Sequence, residues 1–264
     1  MTRIDKKAIY NRFGIDYRPK NHGQILSPDG NWVPCLLVDG NGKIGKTVFH
    51  FSTLPTNKDF ETVINGKTVT VKGTCPCHCN GCYATKGNYR FPDNVASLAM
   101  RTLIARNHID FMVKAVIAQI NADNIRTLRI HASGDFFNEE YIKAWKQIAI
   151  ACPHCQMWTY TKYRPAESAF DDIPNVNIVK SVIPGIGFNF GHCDYLMNAY
   201  AELIARGESV HICKCGFDKN QHCINCRGCI EHKYVLFLEH STGYKAEKDP
   251  LYPAMRDMVM SQTE

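Results

Sequence analysis

Ile125-Arg-Thr-Leu-Arg-Ile-His-Ala-Ser-Gly-Asp135, followed shortly by Asn138-Glu-Glu-Tyr141, is the stretch that decides the fold. Apolar and polar residues alternate from Ile125 to His131, the period of a half-buried strand. The chain then turns through Ser133-Gly134-Asp135. Asn138 opens a helix reaching about Ala151, because an Asn side chain can accept from the unpaired N–H groups of a first turn.

The same strand–turn–helix order recurs on either side. Gln156–Lys162 and Val176–Val182 read as strands, and Pro184-Gly-Ile-Gly187 as a turn. Tyr195–Arg206 reads as a helix stopped by Gly207. Ser209–Cys213 and Tyr234–Leu238 are further strands, with a last helix near Ala254–Gln262. Upstream, Asn94 to about Asn121 carries apolar residues at helical spacing, as one long or broken helix. Glu61–Ile64 and Lys67–Lys72 flank Asn65-Gly66, which predicts a β-hairpin with a type I′ turn. Residues before it carry turn clusters such as Ser27-Pro-Asp-Gly30 and predict loops and short strands.

Strands alternating with helices imply parallel pairing and right-handed crossovers. The expected fold is α/β, a partial TIM-like (β/α) barrel of parallel strands. It carries an N-terminal β-hairpin extension and a C-terminal cysteine-rich cluster segment. The expected segments are 1–66, 67–212 and 213–264, within one compact unit. In such folds ligands gather at the carboxyl ends of strands. Here those ends hold Cys75–Cys82, Ser133–Asp135, Thr159–Lys162, Ser181–Gly187 and Cys213–Cys229.

The chain has 13 cysteines among 264 residues, an unusual number for a cytosolic protein unless most bind metal. Disulfides fit poorly, since the start, Met1-Thr-Arg-Ile-Asp-Lys-Lys7, lacks the apolar core of an export signal. A chain this long also buries a core without staples. No apolar run approaches the roughly 18–20 residues that span a bilayer. A cytoplasmic protein is expected, with no membrane partner. The formal charge of +6 counts every cysteine as neutral. Cluster-bound thiolates would bring it nearly to balance, so charge is a weak argument for nucleic acid.

Two cysteine groups carry the chemistry. Cys75, Cys79 and Cys82 stand in C-x3-C-x2-C spacing, which lets three thiolates of one loop hold three irons of a four-iron cluster and leaves the fourth iron open. Cys77 lies inside that loop as a spare or a fourth ligand. The second group has Cys223, Cys226 and Cys229 in the C-x2-C-x2-C spacing of ferredoxin clusters. Cys215 is the preferred fourth ligand, with Cys213 its competitor. Zinc is the alternative at both places, since C-x2-C pairs also build tetrahedral sites. Cys35, Cys152, Cys155 and Cys193 are read as structural, with His192-Cys193 the candidate exception because it lies near the ligand-bearing strand ends. Ser133, Gly134 and Asp135 form a turn where a ligand can approach the backbone, and Asp135 can accept from an amine or hydroxyl. Thr159 and Thr161, in Trp158-Thr-Tyr-Thr-Lys162, suit a carboxylate or ribose, or else an ordinary amphipathic strand.

A cysteine loop after one strand and a Ser-Gly-Asp turn after the next resemble the radical S-adenosylmethionine enzymes. That resemblance implies Cys75, Cys79 and Cys82 as ligands of one [4Fe-4S] cluster and Asp135 near the methionine amine. The downstream cysteines would bind a second, auxiliary [4Fe-4S] cluster. It also implies reductive cleavage of S-adenosylmethionine and an electron donor such as a ferredoxin or flavodoxin. A closer match is the phage-associated gene product 88 family. It rests on Gly40-Asn-Gly-Lys-Ile-Gly45, Thr74-Cys-Pro…Cys82-Tyr-Ala-Thr-Lys-Gly87, His131–Phe136 and Trp158–Lys162, and with the terminal cysteines it spans about Gly40 to Cys229. The alternatives to a radical enzyme are a non-catalytic redox or electron-transfer protein and a zinc-containing nucleic-acid-binding protein.

Overall fold

The computed structural model describes residues 4–40, 44–76, 82–218, 220–221, 223–239 and 244–261. Helix α1 (Lys6–Arg12), which the sequence reading omits, is capped by Asp5, whose carboxylate accepts from Ala8 N at 3.1 Å. Short strands β1 (Tyr17–Arg18), β2 (Gln24–Leu26), β3 (Trp32–Pro34), β4 (Val38–Asp39) and β5 (Phe49–His50) follow. The expected hairpin is present as β6 (Asp59–Ile64) and β7 (Lys67–Lys72). Its turn residues Asn65 and Gly66 have φ of 51° and 76°, as a type I′ turn requires. The helical stretch is broken into α2 (Pro92–Asn107) and α3 (Ile109–Ala122) at His108, whose φ of −139° leaves helical geometry.

Next come β8 (Thr127–Arg129), α4 (Glu139–Ala151), β9 (Gln156–Thr161) and β10 (Val176–Lys180). Asn138 caps α4 as expected, accepting from Tyr141 N at 2.8 Å. Strands β11 (Val182–Ile183) and β12 (Gly187–Phe188) pair antiparallel around the Pro184–Gly187 turn. The chain continues through β13 (Phe190–Gly191), α5 (Cys193–Ala205) and β14 (Val210–Ile212). It ends with the short helices α6 (Cys223–Cys226) and α7 (Gly228–Glu231), then β15 (Tyr234–Leu238) and α8 (Tyr252–Ser261).

The main sheet has the order β10-β9-β8-β5-β4, with β5, β8, β9 and β10 parallel and β4 antiparallel at one edge. A second, parallel sheet has the order β13-β15-β14. The fold is therefore mixed α/β with several sheets. The barrel expectation is corrected to that extent: no closed barrel forms among the described residues. Two local facts account for this. Strand β7, which leads to Cys75, pairs with β6 in a separate hairpin, so the parallel neighbour of β8 is β5 instead. The chain between β10 and β13 is also spent on an antiparallel pair.

Strand alternation sorts the main sheet into two faces. Leu128 and Met157 are fully buried against α3 and α4, in a core that includes Trp145, Ile148 and Phe136. Burying each such side chain contributes about 1.5–3 kcal/mol. This core also takes in Tyr10, Ile15 and Ile25. The opposite face carries Arg129, Trp158 and Asn177, which lie in register across β8, β9 and β10. Helix α7 packs on that face, against β9 and β10. A second core packs α5 and α8 on the small sheet through Leu196, Leu203, Leu236 and Met255. No helix among the described residues is long and apolar enough to cross a membrane.

Candidate metal centre

Cys213, Cys215, Cys223, Cys226 and Cys229 line one pocket, with His211 and Trp158. The local structure explains how residues spread along the chain meet. Strand β14 ends at Cys213, and a 3-10 turn (Lys214–Gly216) carries Cys215. Cys223 and Cys226 are the first and last residues of α6. Arg227 then adopts a left-handed conformation (φ 49°), which reverses the chain and starts α7 with Cys229 on it. Asn177 holds α7 in place, its Nδ2 donating to the carbonyls of Cys229 at 2.9 Å and His232 at 2.8 Å. Gly228 admits His211: a Cβ there would stand 2.3 Å from the imidazole.

The thiols have polar company. The Tyr160 hydroxyl donates to Cys229 Sγ at 2.8 Å, and His211 Nε2 lies 3.2 Å from Cys226 Sγ. The Cys215 thiol is pushed up to about 12, first by its hydrogen bond with Cys213 and then by burial. Burial first, then the neighbouring Cys223 and Cys226, push Cys229 up to about 12 as well. Several thiolates cannot share this space without cations to offset their charge. The donor set is sulfur-rich with one imidazole, which suits zinc or iron–sulfur chemistry. The cavity volume is about 10 Å³, room for one water-sized body. Among the described residues no three His, Cys, Asp or Glu side chains stand ready to hold one metal ion, so a metal held here would require the thiols to move.

Of the first cysteine group, Cys75 and Cys82 are described and half-buried, whereas Cys77 and Cys79 lie outside the described residues. Cys75 is held by its N–H to the Thr56 carbonyl at 2.9 Å. Tyr83, immediately after Cys82, donates to the Ala132 carbonyl, three residues beyond β8. Arg129 Nη2 reaches the Tyr83 hydroxyl at 3.1 Å, and its guanidinium lies 4.8 Å from the centre of the Tyr160 ring. A chain of contacts therefore runs from Cys82 through Tyr83, Arg129 and Tyr160 to Cys229.

The Ser133–Asp135 turn is tied into the fold by its own hydrogen bonds. Ser133 Oγ donates to the Thr53 carbonyl at 2.9 Å, and Asp135 N donates to Thr74 Oγ1 at 3.1 Å. The Asp135 carboxylate is 5% exposed and takes three donors: Thr161 Oγ1 at 2.7 Å, Phe136 N at 2.8 Å and Lys162 N at 2.9 Å. Burial, opposed by those donors, raises its pKa to about 6. Thr161 is fully buried in the same network, and Thr159 sits 3.2 Å from His131 Nδ1 on the helix-packed side of β9. Burial holds His131 down at about 3, so it is a neutral bridge between Thr159 and Tyr141. Gly134 has φ of 84°, and a Cβ there would lie 1.9 Å from Thr53 Oγ1. The close approach that calls for glycine is to a neighbouring side chain.

Cys152 and Cys155 are fully buried, and burial pushes their thiols up to about 11 and about 12. Their carbonyls and that of Ala149 share one donor, Asn175 Nδ2, at 3.0–3.1 Å. Both pack into the main core. His211, Tyr160 and Asn177 are the residues that reading missed at the pocket. One signal was available for the first: alternation along β14 puts His211 and Cys213 on the same side.

These features define a mixed α/β protein with a thiol-lined pocket packed on one face of a mainly parallel sheet. The chain belongs to the gene product 88 family, whose family model matches residues 36–183, more than half of its length. The matched residues include the first cysteine loop and the Ser133–Asp135 turn. They stop before Cys213–Cys229, short of the span expected from the sequence. Nothing in the comparison connects the chain with the radical S-adenosylmethionine enzymes. No curated protein and no solved structure shows significant similarity to it.

Proposed function

We propose that this is an iron–sulfur redox protein with two [4Fe-4S] clusters, one in each cysteine group. The observation that carries the reading is the gathering of Cys213, Cys215, Cys223, Cys226 and Cys229 in one pocket. Bound there, a cluster supplies one-electron redox chemistry. Cys223, Cys226 and Cys229 hold it, with Cys215 or Cys213 as fourth ligand. Trp158 shields it on the sheet side, and Tyr160 and His211 supply hydrogen bonds to its thiolates. Cys75, Cys79 and Cys82 hold the other cluster at the strand-end rim.

The thiol spacing supports reductive cleavage of S-adenosylmethionine as the reaction at that first loop. The Asp135 carboxylate is occupied by internal donors, so this extension rests on the spacing alone. Seven parallel strands in two adjoining sheets, with the cysteine segment on the face opposite α3 and α4, support an open, incomplete version of the expected barrel. A ferredoxin or flavodoxin is the class of electron donor such a protein would use.

Zinc is the second reading at the C-terminal pocket. It is favoured by the small cavity volume and by His211 beside Cys226, which offers a Cys3His set. Two zincs would shift attention to nucleic acid as the partner. The test is metal and sulfide content of cysteine variants purified without oxygen. Cys226→Ala and Cys229→Ala should each lose about four irons with matching sulfide. Cys152→Ala and Cys155→Ala should lose none. Equal iron in all four variants would sink the assignment.

A further inference from the structure

We infer that Tyr160 and Arg129 join the two cysteine groups, and that the Tyr160 hydroxyl, bonded to Cys229, sets the reduction potential of the C-terminal cluster. The inference rests on the iron–sulfur reading above and adds residues that no cysteine pattern reveals.

The ring of Tyr160 is fixed from several sides. It stands on β9, between β10 and β8, meets Phe237 edge-on with centroids 5.4 Å apart, and has the Arg129 guanidinium 4.8 Å above it. Asn177 fixes the Cys229 backbone at 2.9 Å. The hydroxyl is thus aimed at Cys229 Sγ, 2.8 Å away, by rigid elements on both sides. The contact is a hydrogen bond from the phenol O–H to the sulfur.

A cluster held by Cys223, Cys226 and Cys229 would supply one-electron chemistry, with the electron coming from an external low-potential donor. No bond forms or breaks, and no proton needs to move. The added negative charge is shared with the thiolates. A donor hydrogen bond and a nearby fixed cation stabilise that charge more than they stabilise the oxidised state, so both raise the potential. Arg129 holds the other end of the link through Tyr83, the residue next to Cys82.

Tyr160→Phe keeps the ring and its packing and removes only the hydroxyl. The full chain is purified without oxygen, iron and sulfide are counted, and the protein is titrated with dithionite while its electron paramagnetic resonance signals are followed. The expected result is an unchanged iron count and a more negative potential for one of the two clusters. At fixed poise its reduced-to-oxidised ratio should fall about tenfold, a shift of about 59 mV for one electron. A full iron count with an unchanged potential would overturn the inference. Absence of iron and sulfide from the unmutated protein would overturn the parent reading instead. If Tyr160→Phe loses iron, Arg129→Gln carries the test, because it leaves the hydroxyl in place. A shift in the same direction supports the link, and an unchanged potential overturns it.

Discussion

Replacing Gly134 with alanine separates the two meanings a glycine can have at a strand end. The backbone there has φ of 84°, which costs an L-residue about 1–2 kcal/mol. The added methyl would stand 1.9 Å from Thr53 Oγ1 and 2.7 Å from Thr74 Oγ1, two atoms that hydrogen bond to each other at 2.8 Å. Separating them forfeits about 1 kcal/mol, and the overpacking adds about 1–3 kcal/mol. The substitution should therefore destabilise the fold by about 3–6 kcal/mol, which for a chain of this size lowers Tm by roughly 6–24 °C. Thr53→Ala in the same chain removes the nearest clashing atom and should recover at least about 1 kcal/mol as a coupling in a double-mutant cycle. Differential scanning calorimetry of the four proteins gives the answer. If Gly134→Ala melts with the parent protein and alters only ligand binding, the glycine faces a ligand and the packing argument fails.

Two further predictions concern buried polar groups. Asp135 titrates near 6 in the fold and at about 3.9 when unfolded. Its contribution to stability is thus fully present below about pH 4 and is lost as pH rises through about 6, a change of about 3 kcal/mol. The stability of the parent relative to Asp135→Asn should fall by that amount between about pH 4 and pH 7 in urea titrations. A difference that stays constant across the window contradicts the burial argument. Asn175→Asp would aim a carboxylate at three carbonyls that now share one amide donor. It should cost about 3–5 kcal/mol by urea midpoint, and a change below about 1 kcal/mol would show that this junction is not held by the amide.

Sequence legibility followed the range of the interactions. The β6–β7 hairpin was readable because Asn65-Gly66 fixes its own turn, and α4 because Asn138 caps it locally. Strand β9 was readable from an alternation long enough to detect. Strand β5 was not, since two residues carry no period, and it displaced β7 as the neighbour of β8. That one substitution in strand order removed the basis for placing the cysteine loop on the first barrel strand. At the pocket the thiols were legible from spacing alone. Tyr160, Asn177 and Arg129 were not, because they arrive from other strands through tertiary packing. The internal partners of Asp135 were not legible either: a carboxylate in a glycine turn has the same sequence signature whether its oxygens face a ligand or Thr161 and the backbone.

The measurement that bears most directly on the central claim is iron, acid-labile sulfide and zinc per chain, on protein purified without oxygen. The account predicts about eight irons with matching sulfide and no stoichiometric zinc. About two zincs and no sulfide would contradict it.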